Sequence, residues 1–308
     1  MANLGMRFIR SFFGIIEHIA PSLGGRIAFR LFCRTPDPER VSEKEKRLLA
    51  RSIPFMKGAR RHDLITRYGR FTAFEFTNWD TRRDGPTVLV LHGWRSRTEH
   101  MRTIVEALLQ RGFRVVALDL PGSGVSAGRT LNLASAVAAV RETADWLGPF
   151  DAAAGHSFGG AIALNAAAGA VRGVRPVFFR RLVMIGSPNA LPDLFTAFGR
   201  HIGLGRRSQH ALEARVEEIA GHPLSSFVAA HQLREMSVST LIVHAPDDKE
   251  VPFADAVAMA GAGDHVSLVK ASGLGHRRIL GDSAVAALVA GFCAEGSATH
   301  ALPTRVAA

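Results

Sequence analysis

Two short segments of the sequence place a serine between two glycines, in the Gly-x-Ser-x-Gly pattern that can present a nucleophilic hydroxyl. One is residues 155–159 (Gly-His-Ser-Phe-Gly) and the other is residues 124–128 (Gly-Val-Ser-Ala-Gly). In a chain with 30 glycines among 308 residues the pattern also arises by chance, so the spacing alone does not identify a site.

The residues around each serine separate the two matches. A nucleophilic serine of this kind needs an apolar strand directly before it and a helix directly after it. Ser157 follows the apolar run 151–154 and precedes a predicted helix over 158–170. Ser126 lies beyond Pro121 in a glycine-rich loop whose following helix begins only near residue 132. We therefore predict that Ser157 is the nucleophile and that Ser126 has a loop role.

A serine hydroxyl needs a base and a carboxylate that holds the base in the right tautomer, in the chain order Ser, Asp or Glu, His. A predicted strand over 240–244 runs into Asp247 and Asp248, and another over 266–270 runs into His276. Both strand ends lie at the edge of the sheet where Ser157 is expected. We predict His276 as the base, and Asp247 or Asp248 as the acid with Asp193 as an outside candidate.

Acyl transfer also needs two backbone N–H groups that stabilise a negatively charged oxygen. Phe158 N–H, at the start of the helix after Ser157, is one candidate. Trp94 N–H is the other, because Gly93 lets the backbone approach the substrate; alternatively, residues 92–94 form an ordinary turn. We place His92, Gly93 and His156 in the substrate-binding set, with the histidines in structural or pocket-lining positions.

Motifs for other chemistries are absent from the sequence. It has no Gly-x-Gly-x-x-Gly after the first alternating strand, no Gly-x-x-x-x-Gly-Lys, no His-Glu-x-x-His and no Cys-x-x-Cys. We therefore expect no cofactor and no metal ion.

Strands and helices alternate along most of the chain and must position these residues. After a predicted hairpin over 64–79, strands are predicted at 87–92, 113–120, 151–154, 181–185, 241–244 and 266–270, with helices at 101–110, 133–147, 158–170, 253–260 and 283–293. Apolar strands covered by helices predict an α/β fold with a doubly wound, mostly parallel sheet. Residues 189–236 interrupt this alternation and predict a small helical cap.

Charge is concentrated near the start of the chain. Residues 1–70 carry +9 of the net charge of +11. This concentration indicates a local surface contact or a solvated helix face, and because the rest of the chain is nearly neutral we expect no nucleic-acid partner.

The apolar run 11–16 is too short for a secretory signal, and no apolar run approaches the length of a membrane-spanning helix. With Cys33 and Cys293 far apart in the sequence, we expect a protein that is either free in the cytoplasm or peripheral to the inner face of the membrane.

We divide the chain into an N-terminal helical extension (1–60), a main domain (61–293) and a disordered tail (294–308). The extension is predicted to hold two helices before Pro36 and a polar, partly helical connector over 39–60.

Each of the two predicted helices has an apolar face. On the first helix it consists of Leu4, Phe8, Phe12, Ile15, Ile16 and Ile19, and on the second helix of Leu23, Ile27 and Leu31. Residues 1–35 either rest on an anionic membrane or pack on the body or on a second subunit. The sequence contains no signal for a particular oligomeric state.

Residues 64–293 resemble the α/β-hydrolase superfamily in five ordered motifs: His92-Gly-Trp94, Asp119-Leu-Pro-Gly-Ser-Gly-Val-Ser126, Gly155-His-Ser-Phe-Gly159, Asp248-Lys-Glu-Val-Pro252 and Gly275-His276. The resemblance implies a triad of Ser157, Asp248 and His276, with Asp248 selected by its place four residues before Pro252. It also implies an oxyanion hole on the two N–H groups above, and a cap. A serine at position 157 argues against the dehalogenases and epoxide hydrolases of the superfamily, which use an aspartate there.

The resemblance implies a serine hydrolase of a small-molecule acyl ester, including thioesters and lipid-like esters. The alternatives are an inactive hydrolase fold that binds a ligand or a membrane, and an acyltransferase. Apolar side chains in the predicted cap, which are Leu191, Leu194, Phe195, Phe198, Ile202, Phe227 and Val228, form either a substrate pocket or the cap's own core.

Overall fold

A computed structural model describes residues 2–37, 40–77 and 85–295 of the chain. The strands are β1 (Arg60–Thr66), β2 (Gly69–Phe76), β3 (Thr87–Leu91), β4 (Arg114–Asp119), β5 (Ala152–His156), β6 (Arg181–Ile185), β7 (Ser239–His244) and β8 (Val266–Lys270). The helices are α1 (Ala2–Ile19), α2 (Pro21–Phe32), α3 (Glu43–Lys57), α4 (Arg102–Gln110), α5 (Leu133–Leu147), α6 (Phe158–Ala167), α7 (Leu191–Ile202), α8 (Arg206–Ala220), α9 (Ala229–Glu235), α10 (Phe253–Ala260), α11 (Gly275–Arg278) and α12 (Ser283–Ala294).

The eight strands form one sheet in the order β1-β2-β4-β3-β5-β6-β7-β8. β2 pairs antiparallel with β1 and β4, and all other neighbours are parallel. The predicted α/β class with a mostly parallel sheet is therefore confirmed. Because β3, β5, β7 and β8 are parallel, their carboxyl ends lie along one edge of the sheet.

Helices cover both faces of the sheet, and successive residues of a strand contribute to opposite faces. Leu89 and Leu91 of β3 pack with α5 and α6 on one side. Val88 and Val90 of the same strand pack with α4 and α12 on the other side. Burial on both faces explains why the central strands read as continuous apolar runs rather than as alternating ones.

Between β6 and β7, the segment 189–236 folds into α7, α8 and α9 above the sheet edge. The N-terminal helix α2 packs on this cap through Gly24, Gly25 and Ala28, which are its buried residues. A Cβ on Gly25 would lie 2.6 Å from Ala211 of α8, so only glycine permits this close approach. The small residues of α2 therefore make the closest contact. Of its predicted apolar face, Ile27 packs on the cap, whereas Leu23 and Leu31 are exposed.

Helix α1 also packs on the cap, but with a different face from the predicted stripe. Phe13 is the buried side chain, and it lies in a cluster with Phe195 and Ile202 of α7. From the predicted stripe, Ile16 packs against this cluster, whereas Phe8, Phe12, Ile15 and Ile19 are exposed. Within the described ranges, no helix has both the length and the apolar character needed to cross a membrane.

The predicted connector 39–60 is more regular than the sequence indicated, because α3 occupies 15 of its residues. Ser42 caps this helix by accepting a hydrogen bond from Glu45 N–H at 3.2 Å. The Ser-x-x-Glu spacing at 42–45 was a sequence signal for that cap. Of the tail predicted to be disordered, residues 296–308 lie outside the described residues.

Candidate active site

Ser157 lies at the sharp turn between β5 and α6, with φ of 53° and ψ of −121°. A positive φ is unfavourable for a residue with a Cβ, so the surrounding packing must impose it. Small residues make that packing possible: a Cβ on Gly159 would lie 2.3 Å from the carbonyl oxygen of Leu91. Ser157 N–H donates to the carbonyl oxygen of Ile185 at 2.8 Å, which fixes the turn against β6.

His276 follows β8, and its Nδ1 lies 2.7 Å from Oδ2 of Asp248. The Asp248 side chain is 1% exposed and that of His276 is 8% exposed. Oδ1 of Asp248 accepts hydrogen bonds from Glu250 N–H at 2.7 Å and Val251 N–H at 2.9 Å. These bonds leave Oδ2 to orient the imidazole, with Nδ1 protonated and Nε2 available as a base.

The charge on Asp248 is stabilised despite its burial. Burial alone would raise the pKa of this carboxyl group, but the hydrogen bonds from Val251 N–H, His276 and Glu250 N–H outweigh it, and the pKa is lowered. Asp248 is therefore a carboxylate at neutral pH.

The other candidates lie elsewhere. Asp247 contacts other residues of the loop: its Oδ1 accepts from Gly273 N–H at 2.8 Å, and its Oδ2 lies 3.9 Å from Nη2 of Arg278. Asp193 is exposed in the first turn of α7. Oγ of Ser126 accepts from Thr72 N–H at 2.8 Å and donates to the carbonyl oxygen of Asp119. The two local hydrogen bonds of Ser126 tie its loop to β2.

The backbone N–H of Phe158 is the first of α6, where an α-helix leaves its N–H groups unpaired. In the part of the chain that the structure describes, Trp94 N–H also has no hydrogen-bond acceptor. The rings of Trp94 and Phe158 meet edge to face, with centroids 5.6 Å apart. The loop after β3 and the start of α6 are thus adjacent, as an oxyanion hole requires.

His92 supports this loop from below. Its Nδ1–H donates to the carbonyl oxygen of Gly93 at 2.8 Å, and its Nε2 accepts from Leu120 N–H at 3.1 Å. Burial lowers the pKa of His92 to about 4, so it is neutral at physiological pH. The predicted contact between His92 and substrate finds no support in this buried position, whereas Gly93 does lie at the surface of a cleft beside Ser157.

His156 is also buried, and its Nε2–H donates to the backbone carbonyl oxygen of His276 at 2.8 Å. Burial lowers the pKa of His156 to about 3. Because the ring is neutral and its Nε2 carries the hydrogen, His156 ties the nucleophile turn to the loop of His276.

The sequence of residues 88–290 matches the alpha/beta hydrolase family, and this match spans well over half of the chain. The chain belongs to the alpha/beta hydrolase family. No curated protein matches this hydrolase by sequence.

Solved structures with this fold include esterases and a dehalogenase. Est1E from Butyrivibrio proteoclasticus, with ferulic acid bound, is 20% identical, with a TM-score of 0.61 over 75% of this chain and 97% of that one. The Pyrococcus furiosus esterase Pf2001 is 17% identical, with a TM-score of 0.56 over 76% and 91%. A loop variant of the haloalkane dehalogenase DbeA from Bradyrhizobium elkanii is 18% identical, with a TM-score of 0.57 over 77% and 97%. At identities of 17–20%, these structures show that the chain shares their fold and do not show that it shares their substrates.

An apolar cavity of about 260 Å³ opens beside Ser157 and His276 of this hydrolase. Of the predicted cap residues, Leu191, Leu194, Phe195 and Phe227 line it, whereas Phe198 and Ile202 pack among the helices of the cap. The sequence did not predict another wall of this cavity, which is formed by Phe29, Phe32 and Cys33 at the end of α2. The small-residue face of α2 was the available signal, because close packing on α8 brings Phe29 and Phe32 to the cavity.

Proposed function

We propose that the protein cleaves carboxylic esters, and that it does so as a serine hydrolase through an acyl-enzyme on Ser157. The observation that carries the proposal is the position of His276. Its Nδ1 binds the buried carboxylate of Asp248, and its ring lines the same apolar cavity as Ser157. Nucleophilic catalysis by serine needs these three groups together.

In the proposed reaction, Oγ of Ser157 attacks the carbonyl carbon of the ester and passes its proton to Nε2 of His276. The N–H groups of Trp94 and Phe158 stabilise the negative charge on the carbonyl oxygen. The bond to the leaving oxygen then breaks, and the leaving alcohol takes the proton from His276. Water, deprotonated by the same imidazole, then attacks the acyl carbon. The bond from this carbon to Oγ of Ser157 breaks, His276 returns the proton to Oγ, and the acyl group leaves as a carboxylic acid.

The apolar cavity supports an acyl chain as the buried part of the substrate. Its walls are almost entirely hydrocarbon and aromatic, as is typical of a pocket that binds by removing apolar surface from water. A thioester has the same carbonyl chemistry and is included in the proposal. We also propose a cytoplasmic location, which is supported by the presence of only two cysteines in 308 residues.

Labelling with a fluorophosphonate probe and hydrolysis of p-nitrophenyl esters of increasing acyl length test the proposal. We expect labelling and turnover in the natural chain, and neither in Ser157→Ala. Ser126→Ala, which removes a hydroxyl at the other Gly-x-Ser-x-Gly match, is the control and should still be labelled. Labelling that persists in Ser157→Ala, or a natural chain that is neither labelled nor active, would overturn the proposal.

A further inference from the structure

Ser157 lies where an apolar cavity meets a cleft that is lined by charged residues. Trp94, Ser157, Glu250 and His276 line both the apolar cavity and a second, open cleft of about 1450 Å³. The cleft is walled by α3 on one side and by the loops after β3 and β8 on the others. If the acyl chain occupies the apolar cavity, the leaving group of the substrate must face this cleft.

The cleft carries an excess of positive charge. Among the described residues, seven lysine and arginine side chains line it against four carboxylates. Three of the cations, Lys44, Arg47 and Arg51, come from successive turns of α3, and a fourth, Arg95, follows Trp94 directly.

Each of the four carboxylates is already engaged within the protein. Glu45 lies 3.1 Å from Nε2 of His100, and Glu99 binds Arg97 at 2.9 Å. Glu250 binds Arg277 at 2.8 Å, and Asp282 caps α12 by accepting from Val285 N–H at 2.9 Å.

Four cations of the cleft remain without a carboxylate. In the described part of the chain, Lys44, Arg47, Arg51 and Arg95 form no ion pair, and all four are exposed. The positive charge that faces the leaving group is therefore not neutralised by the protein itself.

Arg95 shows a second unusual feature. Its φ is 54°, and apart from Ser157 it is the only residue other than glycine with a positive φ among the residues that the structure describes. Such a backbone is costly for a residue with a Cβ, and strained residues cluster at functional sites. The strain therefore lies at a cleft-lining arginine without an ion pair among the described residues, and this arginine directly follows Trp94 in the chain.

We infer that the cleft binds the leaving group of the substrate and that this leaving group carries a phosphate; this inference rests on the proposed function. A phosphomonoester has a charge of about −1.5 to −2 at neutral pH and accepts paired hydrogen bonds from arginine. The substrate is then an ester or thioester with an apolar acyl chain and a phosphorylated alcohol or thiol. Cleavage leaves the acyl group on Ser157 and releases the phosphorylated leaving group with the proton from His276.

Two matched substrate pairs test this inference and separate the sources of the phosphate. The first pair is 1-octanoyl-glycerol and 1-octanoyl-glycerol 3-phosphate, and the second is octanoyl-pantetheine and octanoyl-4′-phosphopantetheine. Within at least one pair we expect kcat/KM to be about tenfold higher for the phosphorylated member, through a lower KM, because the contact forms in the bound substrate. The preference should decrease as salt is added, since screening weakens charge attraction.

Arg95→Asn and Arg51→Gln should each lower the ratio of kcat/KM for the phosphorylated to the neutral member by about threefold or more. Asparagine is chosen at position 95 because it tolerates a positive φ. Arg111→Gln, an exposed arginine outside the cleft, is the control and should keep the ratio. The inference is overturned if neither pair shows a preference, or if both cleft variants keep it. Turnover of the neutral esters would then leave the proposed function standing, whereas a chain inactive on all four substrates would overturn both.

A different surface supports a second proposal. Five large apolar side chains follow one another along α1 and the start of α2 with high exposure, namely Phe8 (70%), Phe12 (46%), Ile15 (63%), Ile19 (77%) and Leu23 (43%). No described residue covers this exposed face. A contiguous apolar surface of this kind marks an interaction site.

Helix α1 holds its position through its other side, so the exposed face is fixed. The carboxylate of Glu17 accepts from the N–H groups of Arg207 and Ser208 at 2.7 and 2.9 Å, at the start of α8. Arg10 donates to the carbonyl oxygen of His201 at 3.1 Å.

A basic groove borders the exposed face at the junction of α1 and α2. Pro21 and Ser22 line it, and they lie between Ile19 and Leu23 in the chain. Arg26, Arg206, Arg207, Arg215 and His210 also line it, against one carboxylate, Glu218, which pairs with Arg215. Apolar side chains beside uncompensated cations match a lipid surface that carries anionic headgroups.

We propose that this face of α1 and α2 binds an anionic membrane surface. Because α2 also lines the apolar cavity, binding would bring that cavity to the lipid. The test is co-sedimentation of the full chain with vesicles of phosphatidylcholine alone or with phosphatidylglycerol added. We expect binding to the anionic vesicles, which salt reduces, and a loss of about tenfold or more in the combined variant Phe8→Gln, Ile15→Gln, Ile19→Gln.

The control for this experiment is the combined variant Trp146→Gln, Phe178→Gln, which removes two exposed aromatic side chains from the main domain and should bind as the natural chain does. The full chain remaining in the supernatant at low salt would overturn the proposal. A dimer in solution that the three α1 substitutions convert to a monomer would also overturn it, because a second copy would then be the occupant of this face.

Discussion

Nε2–H of His156 donates a hydrogen bond to the backbone carbonyl oxygen of His276 across 2.8 Å, and the two rings lie 4.7 Å apart between centroids. His156 precedes Ser157 in the chain, so one side chain connects the turn that presents the proposed nucleophile to the loop that presents the proposed base. The relative position of Ser157 and His276 therefore depends on a hydrogen bond to backbone, in addition to the bond between His276 and Asp248.

This contact predicts a positioning role for His156. His156→Phe removes the donor and should lower kcat on a p-nitrophenyl ester by about tenfold with little change in KM, because a small misplacement of the base affects the transition state more than binding. His156→Gln keeps an N–H donor and should recover most of kcat. Equal activity of both variants would contradict the role, as would a loss expressed in KM alone.

The geometry around His276 predicts unequal effects at the two adjacent aspartates. Asp248→Asn removes the charge that orients and stabilises the imidazolium, and it should lower kcat by about 10⁴-fold. Asp247→Asn, the matched control, keeps an oxygen that can accept from Gly273 N–H and loses only a 3.9 Å ion pair with the exposed Arg278, so it should keep activity within about threefold. Steady-state kinetics of both purified variants decide the assignment, and an equal or larger loss at Asp247 would reverse it.

The wall that α2 contributes to the cavity predicts a change in acyl preference. The ring of Phe32 contacts Phe195 at 4.8 Å and Trp94 at 5.6 Å between centroids. Phe32→Ala enlarges the cavity and should move the optimum of kcat/KM toward longer or bulkier acyl chains, with a loss of about 2 kcal/mol in the free energy of unfolding.

Phe178→Ala, at an exposed aromatic ring outside the cavity, is the control for that change. Both variants are assayed on p-nitrophenyl esters from acetate to dodecanoate. An unchanged chain-length profile in Phe32→Ala would show that α2 does not shape the acyl site.

Two buried neutral histidines predict acid sensitivity of the fold. Burial lowers the pKa of His92 to about 4 and that of His156 to about 3, whereas both have a pKa of 6.5 in an unfolded chain. Between those values the unfolded state binds more protons, so stability is full above pH 6.5 and decreases as pH falls toward 4. With about 1.4 kcal/mol per histidine and pH unit, the free energy of unfolding should fall by about 2.7 kcal/mol per unit near pH 5.

Urea unfolding at several pH values between 4.5 and 7 measures this slope. His156→Gln removes one of the two groups and should halve it, while His18→Gln, at an exposed histidine of α1, should leave it unchanged. A slope that is the same in all three proteins would show that His156 does not control the acid response.

Local sequence patterns determined most of the fold. The alternation of apolar strands and amphipathic helices predicted the α/β class, and the bounds of α5 and β6 agree with the structure at both ends. The nucleophile turn could also be predicted, because strand, serine, glycines and helix are consecutive in the chain and need no distant partner. These features depend on periodicity and on backbone conformation, which are properties of short segments.

Only the tertiary structure decided how the N-terminal helices relate to the site. Phe8, Phe12, Ile15 and Ile19 of the apolar stripe of α1 are exposed, whereas Phe13, one residue from Phe12, is buried against the cap. Similarly, Gly24 and Gly25 of α2 are buried while Leu23 is exposed. Periodicity shows that a helix has an apolar face, but which face is buried depends on the shape of a partner that is distant in the chain.

The sequence predicted four cap residues of the apolar cavity, namely Leu191, Leu194, Phe195 and Phe227, but it did not predict the other walls of the two cavities, for the same reason. Phe32 and Arg51 lie outside the five motifs, and their proximity to Ser157 depends on how α2 packs against α8 and where α3 lies beside the loop after β3. The sequence determined the reacting groups, because strand ends of a parallel sheet bring them to one edge. Tertiary packing decided what surrounds those groups, since contacts between distant segments are set by complementary surfaces rather than by local pattern.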